Sequence, residues 1–325
     1  GSGKTTAIRN SGLKFPLAEG RVAGVGGTRN CDWWIAEQAV LIDTAGRYTS
    51  QDSDAKTDRA GWERFLDLLK RERAQQPLNG IIVAFGADML CRLDAVGREQ
   101  HAQAVRQRVR ELEQRLGQRL PVYLLVSKAD MVAGFTEFFD DLDAETRRQV
   151  WGVTFTPDDS PEGQAAGFRA QFGALVQRLQ DRLLERLQAE RGAEQRAAIA
   201  EFPGQFASLE TPVAAFVQAA FGGSKLDPAP FLRGVYFTSG TQEGTPIDRL
   251  TGAMARSFGL LDRRPAAQGP QKGRSFFLGR LLLDVVFNEA RLAARDRASA
   301  QRQRVLWLGT AAGSAMLLVA GCVWG

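Results

Sequence analysis

The stretch GSGKTT at the start of this chain constrains its fold more than any other. The complete phosphate-binding loop reads G-x-x-x-x-G-K-[ST] and sits between a strand and a helix. Gly3, Lys4 and Thr5 supply its last part, with Gly1 before them and Thr6 after. Glycines let backbone N–H groups close on phosphate oxygens, where a helix N-terminus adds partial positive charge. Lys4 is expected to reach the β- and γ-phosphates, and Thr5 to ligand Mg²⁺ through its hydroxyl. The plain alternative is a glycine-rich turn with an incidental lysine. The leading glycine and the strand feeding the loop would precede residue 1, so the sequence reads as a fragment that starts inside a motif. The far end supports that expectation. Residues 305–325 carry no charge and run off the chain as a membrane-span candidate.

A chain of 325 residues has room for a sizeable core and one or two domains. Its three cysteines, Cys31, Cys91 and Cys322, are too scattered for a disulfide framework and fit a reducing compartment. The single histidine, His101, excludes a histidine-rich metal site and reads as a solvated helix residue. The net charge of +5 is unevenly placed. From Arg263 to Arg304 there are ten Lys/Arg and three Asp/Glu, an excess of +7, which leaves −2 for the rest. That is no nucleic-acid face spread over a fold. It is a basic flank to the apolar run, the positive-inside pattern, and places residues 1–304 in the cytoplasm. Trp307 and Trp324, near the two ends of the run, fit membrane interfaces.

Periodicity gives the elements. KTTAIRNSGL reads as a helix ending near Gly12, and CDWWIAEQAVLID as an antiparallel strand pair turning at 36–38. WERFLDLLKRER puts Trp62, Phe65, Leu66 and Leu69 on one helical face. GIIVAFGAD and PVYLLVSKAD read as buried parallel strands, separated by a helix carrying Val105, Val109, Leu112 and Leu116. Residues 151–228 show no strand signal and read as a helical insertion, with Phe168, Phe172, Leu175 and Leu179 at helical spacing. FLRGVYF restores a buried strand. Residues 263–304 form a basic linker and a juxtamembrane helical segment, in which 276–287 is expected to pack on the core and 291–304 to meet lipid. The fold class is α/β, a P-loop, GTPase-like, mainly parallel sheet (1–150 and 229–262) with helices on both faces and the strand pair near its edge. A C-terminal transmembrane helix follows at 305–325.

The chemistry-bearing motifs fall at strand ends, where ligands of such sheets bind. VLIDTAG ends a strand in Asp43, a carboxylate that can hold Mg²⁺ or its water. Gly46 completes D-x-x-G, whose backbone N–H can approach a γ-phosphate. Thr28, in a glycine-rich loop, is a second hydroxyl for Mg²⁺. In SKAD, Asp130 can accept from the two donors of a guanine edge while the aliphatic stem of Lys128 packs on the base. Ser239, in TSGTQEG, lies where a small-residue loop can touch the base. Each item alone also has an ordinary structural reading. Their order is that of GTPase-type nucleotide binders. Hydrolysis is expected to be slow or to need a partner. Arg47 follows Gly46, where small G proteins place a water-orienting glutamine; an arginine cannot act as a base at neutral pH, and is either a stabiliser of transition-state charge or purely structural. SKAD lacks the usual asparagine, which leaves GTP and ATP both open.

GSGKTTAIRNSGLKFPL, GGTRNCDWW, VLIDTAGRYTSQDS, GVYFTSGTQEGTPIDRL and SFFLGRLLLDVVFNEARLA together resemble the TssM (IcmF) family of bacterial type VI secretion systems, over nearly the whole chain. The resemblance implies an inner-membrane protein with two spans before a cytoplasmic NTPase-like domain and a third leading to a periplasmic region. It implies TssL as a membrane partner, TssJ through the periplasmic part, baseplate proteins such as TssK, and an oligomeric complex. The family's nucleotide motifs fall on Lys4, Thr5 and Asp43, which permits NTP and Mg²⁺ binding without establishing turnover. The expected function is thus an NTP-binding domain of a secretion scaffold. A purely structural scaffold, or another membrane-tethered GTPase such as a signal-recognition-particle receptor subunit or an iron-transport GTPase, are the alternatives.

Overall fold

The computed structural model describes residues 3–16, 31–44, 55–156, 161–223, 229–240 and 275–293. Its centre is a four-stranded mixed sheet in the order β3 (Ile81–Gly86), β4 (Pro121–Ser127), β6 (Phe231–Phe237) and β5 (Gly152–Thr154). The first three strands are parallel, and β5 runs antiparallel along β6. A separate two-stranded antiparallel sheet joins β1 (Cys31–Ile35) to β2 (Val40–Thr44), with Trp33 opposite Ile42 and Asp32 opposite Asp43. The strand pair expected near the edge of the main sheet is therefore present, but forms its own sheet among the described residues.

Strand β4 shows why the sheet needs cover on both sides, because all seven of its residues are buried. Val122, Leu124 and Val126 face a large core that also holds Phe85, Phe168, Phe172, Phe202, Phe206 and Phe216. The alternate residues Tyr123 and Leu125 face a second core with Tyr236, Leu278, Leu281 and Leu282. This alternation is the period-two geometry of a strand, here apolar on both faces.

The first face is covered by helices. Between β3 and β4 run α3 (Ala87–Arg92) and α4 (Ala95–Leu116). The Asp94 carboxylate caps α4 by accepting from the Gly97 N–H at 2.7 Å, and Gly117 at φ 67° ends it. Val105, Val109, Leu112 and Leu116 are buried as their spacing predicts. After a short α5 (Phe135–Phe139) come α6 (Pro161–Ala189), α7 (Ala193–Ala207) and α8 (Glu210–Phe221), whose phenylalanines enter the same core as β3, β4 and β6. A strand was not expected within 151–228, yet Gly152–Thr154 forms β5. Three residues are too few to show alternation, and the segment is held by its partners, with Phe155 N–H donating to Arg233 O and Phe237 N–H to Trp151 O.

The second face is covered by α1 (Lys4–Arg9) and by residues 275–293. Leu278, Leu281 and Leu282 are buried in this second core, while Phe276 and Phe277, also buried, join the first, so the core packing expected for 276–287 is met by its N-terminal part. Leu281–Phe287 is a π-helical turn rather than a regular α-helix. The helix α2 (Ala55–Glu72) buries Trp62, Leu66 and Leu69 in a third cluster with Leu112, Leu116 and Ala293.

One polar network fixes residues 275–293 to the sheet. The β4–β6 register shifts between Val122 and Tyr123, so Val122 pairs with Leu232 but Tyr123 with Gly234, and Arg233 is the extra residue. A bulge re-aims a side chain. The Arg233 guanidinium forks onto Glu289, Nε to Oε2 at 2.9 Å and Nη2 to Oε1 at 2.6 Å. It also donates to the Phe155 carbonyl. The Tyr123 hydroxyl donates to Glu289 Oε2 at 2.8 Å. Burial, with Glu289 adding to it, pushes the Tyr123 phenol well above its ordinary range, so it stays a donor. Burial likewise pushes Tyr236 up to about 12, and its hydroxyl shares a 3.0 Å hydrogen bond with Thr154 Oγ1. Gln76 and Asn79 both donate to the Ala290 carbonyl, at 2.7 and 3.0 Å.

His101, expected in solvent, is half-buried on α4. Its ring stacks on Phe85 at 4.8 Å and lies 6.2 Å from Phe216. Its sequence neighbours are polar, but on a helix the neighbours that count are a turn away or on another element.

The predicted basic linker and the transmembrane helix at 305–325 lie outside the described residues. Among the described residues no helix is long and apolar enough to cross a membrane.

The Arg233 side chain is 4% exposed and that of Glu289 21%. Glu289→Leu leaves a buried guanidinium uncompensated and is expected to cost about 3–5 kcal/mol. The double variant Arg233→Met/Glu289→Leu removes both charges and should cost less than Glu289→Leu alone, as read from urea unfolding midpoints. A second expectation concerns pH. Burial, and then the charge of Lys4, lower the His101 pKa from its ordinary 6.5. The unfolded chain therefore takes up this proton more readily than the fold, and stability falls as pH drops through the unfolded value. His101→Phe, which keeps the stack, should flatten the slope of stability between roughly pH 7.5 and pH 5.5.

Candidate functional site

The carboxyl ends of β2, β4 and β6 bring the predicted motifs together around α1. Gly3, at φ 72°, is in the left-handed region that glycine adopts without a Cβ penalty, and it turns the chain into α1. Lys4 and Thr5 then open the helix. The Thr5 hydroxyl donates to Asp43 Oδ2 at 2.7 Å, joining the first turn of α1 to the end of β2 across 38 positions. Asp43 is 2% exposed. Burial lowers the Lys4 pKa, and the Asp43 carboxylate acts against that shift. A half-buried lysine, a hydroxyl and a buried carboxylate thus lie close together. They are the donor types that a phosphate and a hard, oxygen-seeking cation require.

The other half of the site is built by β4 and β6. The chain leaves β4 through Lys128, which holds φ 57°, a left-handed conformation rare outside glycine. Ala129 N–H donates to Thr238 O at 3.0 Å, which binds this turn to the end of β6. Asp130 Oδ1 then accepts from the Ser239 hydroxyl at 2.6 Å. The two residues proposed from sequence to read a base are therefore direct partners, although 109 positions apart. The loop after β6 also reaches α1. Asn10 donates to the Gly240 carbonyl, and a Cβ on Gly240 would lie 3.5 Å from backbone atoms of Thr6 and Ala7.

Ser239 has one more tie. It exchanges two backbone hydrogen bonds with Phe276, the start of the segment carrying Glu289, at 3.1 and 2.8 Å.

The structure therefore groups Lys4, Thr5 and Asp43, and separately Asp130 and Ser239, with α1 and Gly240 between them. Lys128 takes a partner that sequence reasoning missed. Its ammonium donates to Asp88 Oδ2 at 3.1 Å, at the start of α3. Asp88 follows the apolar run of β3 and fits no motif, so only the crossover that sets β3 beside β4 reveals it. Gly1, Thr28, Gly46 and Arg47 lie outside the described residues. Among the described residues no group of three or more histidine, cysteine, aspartate or glutamate side chains could hold a metal ion.

Known proteins give this geometry a setting. The family model of the IcmF-related N-terminal domain matches residues 55–314. A curated relative, the type VI secretion system component TssM1 of Pseudomonas aeruginosa (strain PAO1), is 49% identical over 332 aligned residues. That alignment covers 100% of this chain and 30% of the relative, so the chain spans about a third of the length of the protein it matches. No solved structure matches the chain. The family match and this identity along the whole chain establish that the chain belongs to the IcmF-related (TssM) family of type VI secretion components.

Proposed function

We propose that this chain is the nucleoside-triphosphate-binding domain of a type VI secretion scaffold, with a P-loop fold that senses nucleotide on the cytoplasmic side of the inner membrane. One observation carries the reading. Motifs 38 and 109 positions apart in sequence meet at the carboxyl ends of the strands in two pairs, Thr5 with Asp43 and Asp130 with Ser239. Such strand ends are where open α/β sheets hold ligands. The other membrane-tethered GTPases are set aside by the family the chain belongs to.

The residues fit the group they would hold. Lys4 would meet the β- and γ-phosphates, while Thr5 and Asp43 would hold Mg²⁺, with Thr28 as a further hydroxyl. Bound Mg²⁺ would neutralise phosphate charge and orient the triphosphate. Asp130, oriented by Ser239, would accept from the base, and Lys128 would offer its stem to the base face. The backbone after Gly46 would approach the γ-phosphate, and Arg47 would face developing charge there. Turnover is expected to be slow. A nucleotide-dependent change at these loops would alter contacts with TssL, TssK and, through a periplasmic part, TssJ within an oligomeric complex. The basic flank at 291–304 would lie against anionic lipid, ahead of a membrane span at 305–325.

One observation favours a purely structural role. Each polar group has a partner within the fold, since Thr5 pairs with Asp43, Ser239 with Asp130 and Lys128 with Asp88.

Titration of the full-length protein in detergent with fluorescent GTP and ATP analogues separates the two readings. Binding should require Mg²⁺. Lys4→Ala removes a charge-assisted phosphate contact and should weaken binding about 10- to 100-fold. Asp130→Ala should erase any preference between GTP and ATP while binding persists. Folded protein that binds neither nucleotide would leave the structural scaffold.

A further inference from the structure

Four departures from the least costly local design coincide at the carboxyl ends of β3 and β4. Lys128 is a non-glycine residue at φ 57°. Its ion pair with Asp88 is nearly enclosed, with side-chain exposures of 14% and 10%. Asp88 Oδ1 is buried with no hydrogen-bond partner among the described residues. A Cβ at position 86 would lie 2.3 Å from Asp88 Oδ1, so any side chain there would push the Asp88 carboxylate out of this position.

Stability does not explain this combination. Enclosing two opposite charges roughly cancels against their desolvation, and a buried ion pair is weak evidence for a stabilising role. The left-handed backbone of a non-glycine residue adds about 1–3 kcal/mol of strain. An acid in the first turn of α3 is favourable, but a surface aspartate would serve there equally well. Local rules that fail together mark sites kept for another purpose.

The path of Lys128 identifies that purpose. Its Cδ lies 3.5 Å from where a Cβ on Gly86 would stand, and its Nζ ends on Asp88. The methylene stem therefore runs from the end of β4 over the bare backbone at the end of β3. Lys128 lies two residues from Asp130 and keeps 14% of its side-chain surface exposed. An extended lysine stem held at both ends presents a flat aliphatic surface, whereas a free lysine would sample many rotamers.

We propose that Asp88 is a positioning residue for nucleotide recognition, anchoring Lys128 so that its stem forms the surface on which the base lies while Asp130 meets the base edge. Gly86 is the space this arrangement needs. The inference rests on the nucleotide reading above and adds to it a residue that acts only through Lys128.

The test uses the full-length protein in detergent, a fluorescent GTP analogue and a fluorescent ATP analogue, with the thermal unfolding midpoint read alongside. Asp88→Asn is expected to weaken binding of the preferred analogue about three- to tenfold. Lys128→Met should weaken it by a similar factor. The double variant should bind no more weakly than Lys128→Met alone, because Asp88 has nothing left to position. Unchanged affinity in Asp88→Asn, whatever its midpoint, would overturn the inference and leave an ion pair that only supports the fold. Equal losses from Asp88→Asn with and without Lys128 would overturn it too. Should Asp88→Asn fail to fold, Asp88→Glu keeps the charge while moving the anchor, and wild-type affinity in that variant would again overturn it. Wild-type protein that is folded yet binds neither analogue would overturn the nucleotide reading itself.

Discussion

Strand β4 cannot be solvated on either face, and the remaining architecture answers that demand. Side chains on successive residues point to opposite sides, so two independent sets of apolar partners are needed. The phenylalanines of α6, α7 and α8 supply one set, and residues 275–293 with α1 supply the other. The three helices are therefore not an appendage. They close the same core to which β3, β4 and β6 contribute.

This double cover also places the chemistry. The sides of the sheet are filled, so functional groups collect where the strands end. Asp43, Lys128, Asp130 and Ser239 all lie at or just beyond a strand's carboxyl end. The sheet order brings Asp130 and Ser239 together because β4 and β6 are neighbours despite the long helical passage between them. It brings Asp88 to Lys128 because β3 and β4 are neighbours on the other side.

Much of this was legible in the residues. β3, β4 and β6 are apolar runs with sharp polar endings, and α4 carries a regular apolar stripe, so each announces its type. Motif order put Thr5 and Asp43 in one candidate site, and the fold brings them into direct contact. What stayed hidden depended on contacts between distant segments. β5 is a strand only because β6 offers an edge to Gly152–Thr154. His101 is half-buried only because Phe85 and Phe216 come to it from β3 and α8. Arg233 looks in sequence like a charge misplaced in a buried strand. Its meaning appears with the bulge and with Glu289, 56 positions later. Asp88 carries no signal in its own neighbourhood at all.

Residues 275–293 lie across the sheet like a belt fastened at both ends. The near end is the backbone bridge between Phe276 and Ser239, and the far end is the hold on Glu289 and Ala290. Tension entering from the C-terminal side would meet these fastenings in order. It would first load Ala293 in the cluster with α2, then the Ala290 carbonyl and the Glu289 fork, then the apolar anchors Leu282, Leu281 and Leu278. It would reach Ser239 last. Such a belt would act as a mechanical fuse. Small forces would be absorbed at the far fastening and leave the loop beside Asp130 undisturbed, whereas a force large enough to strip the whole belt would arrive directly at Ser239.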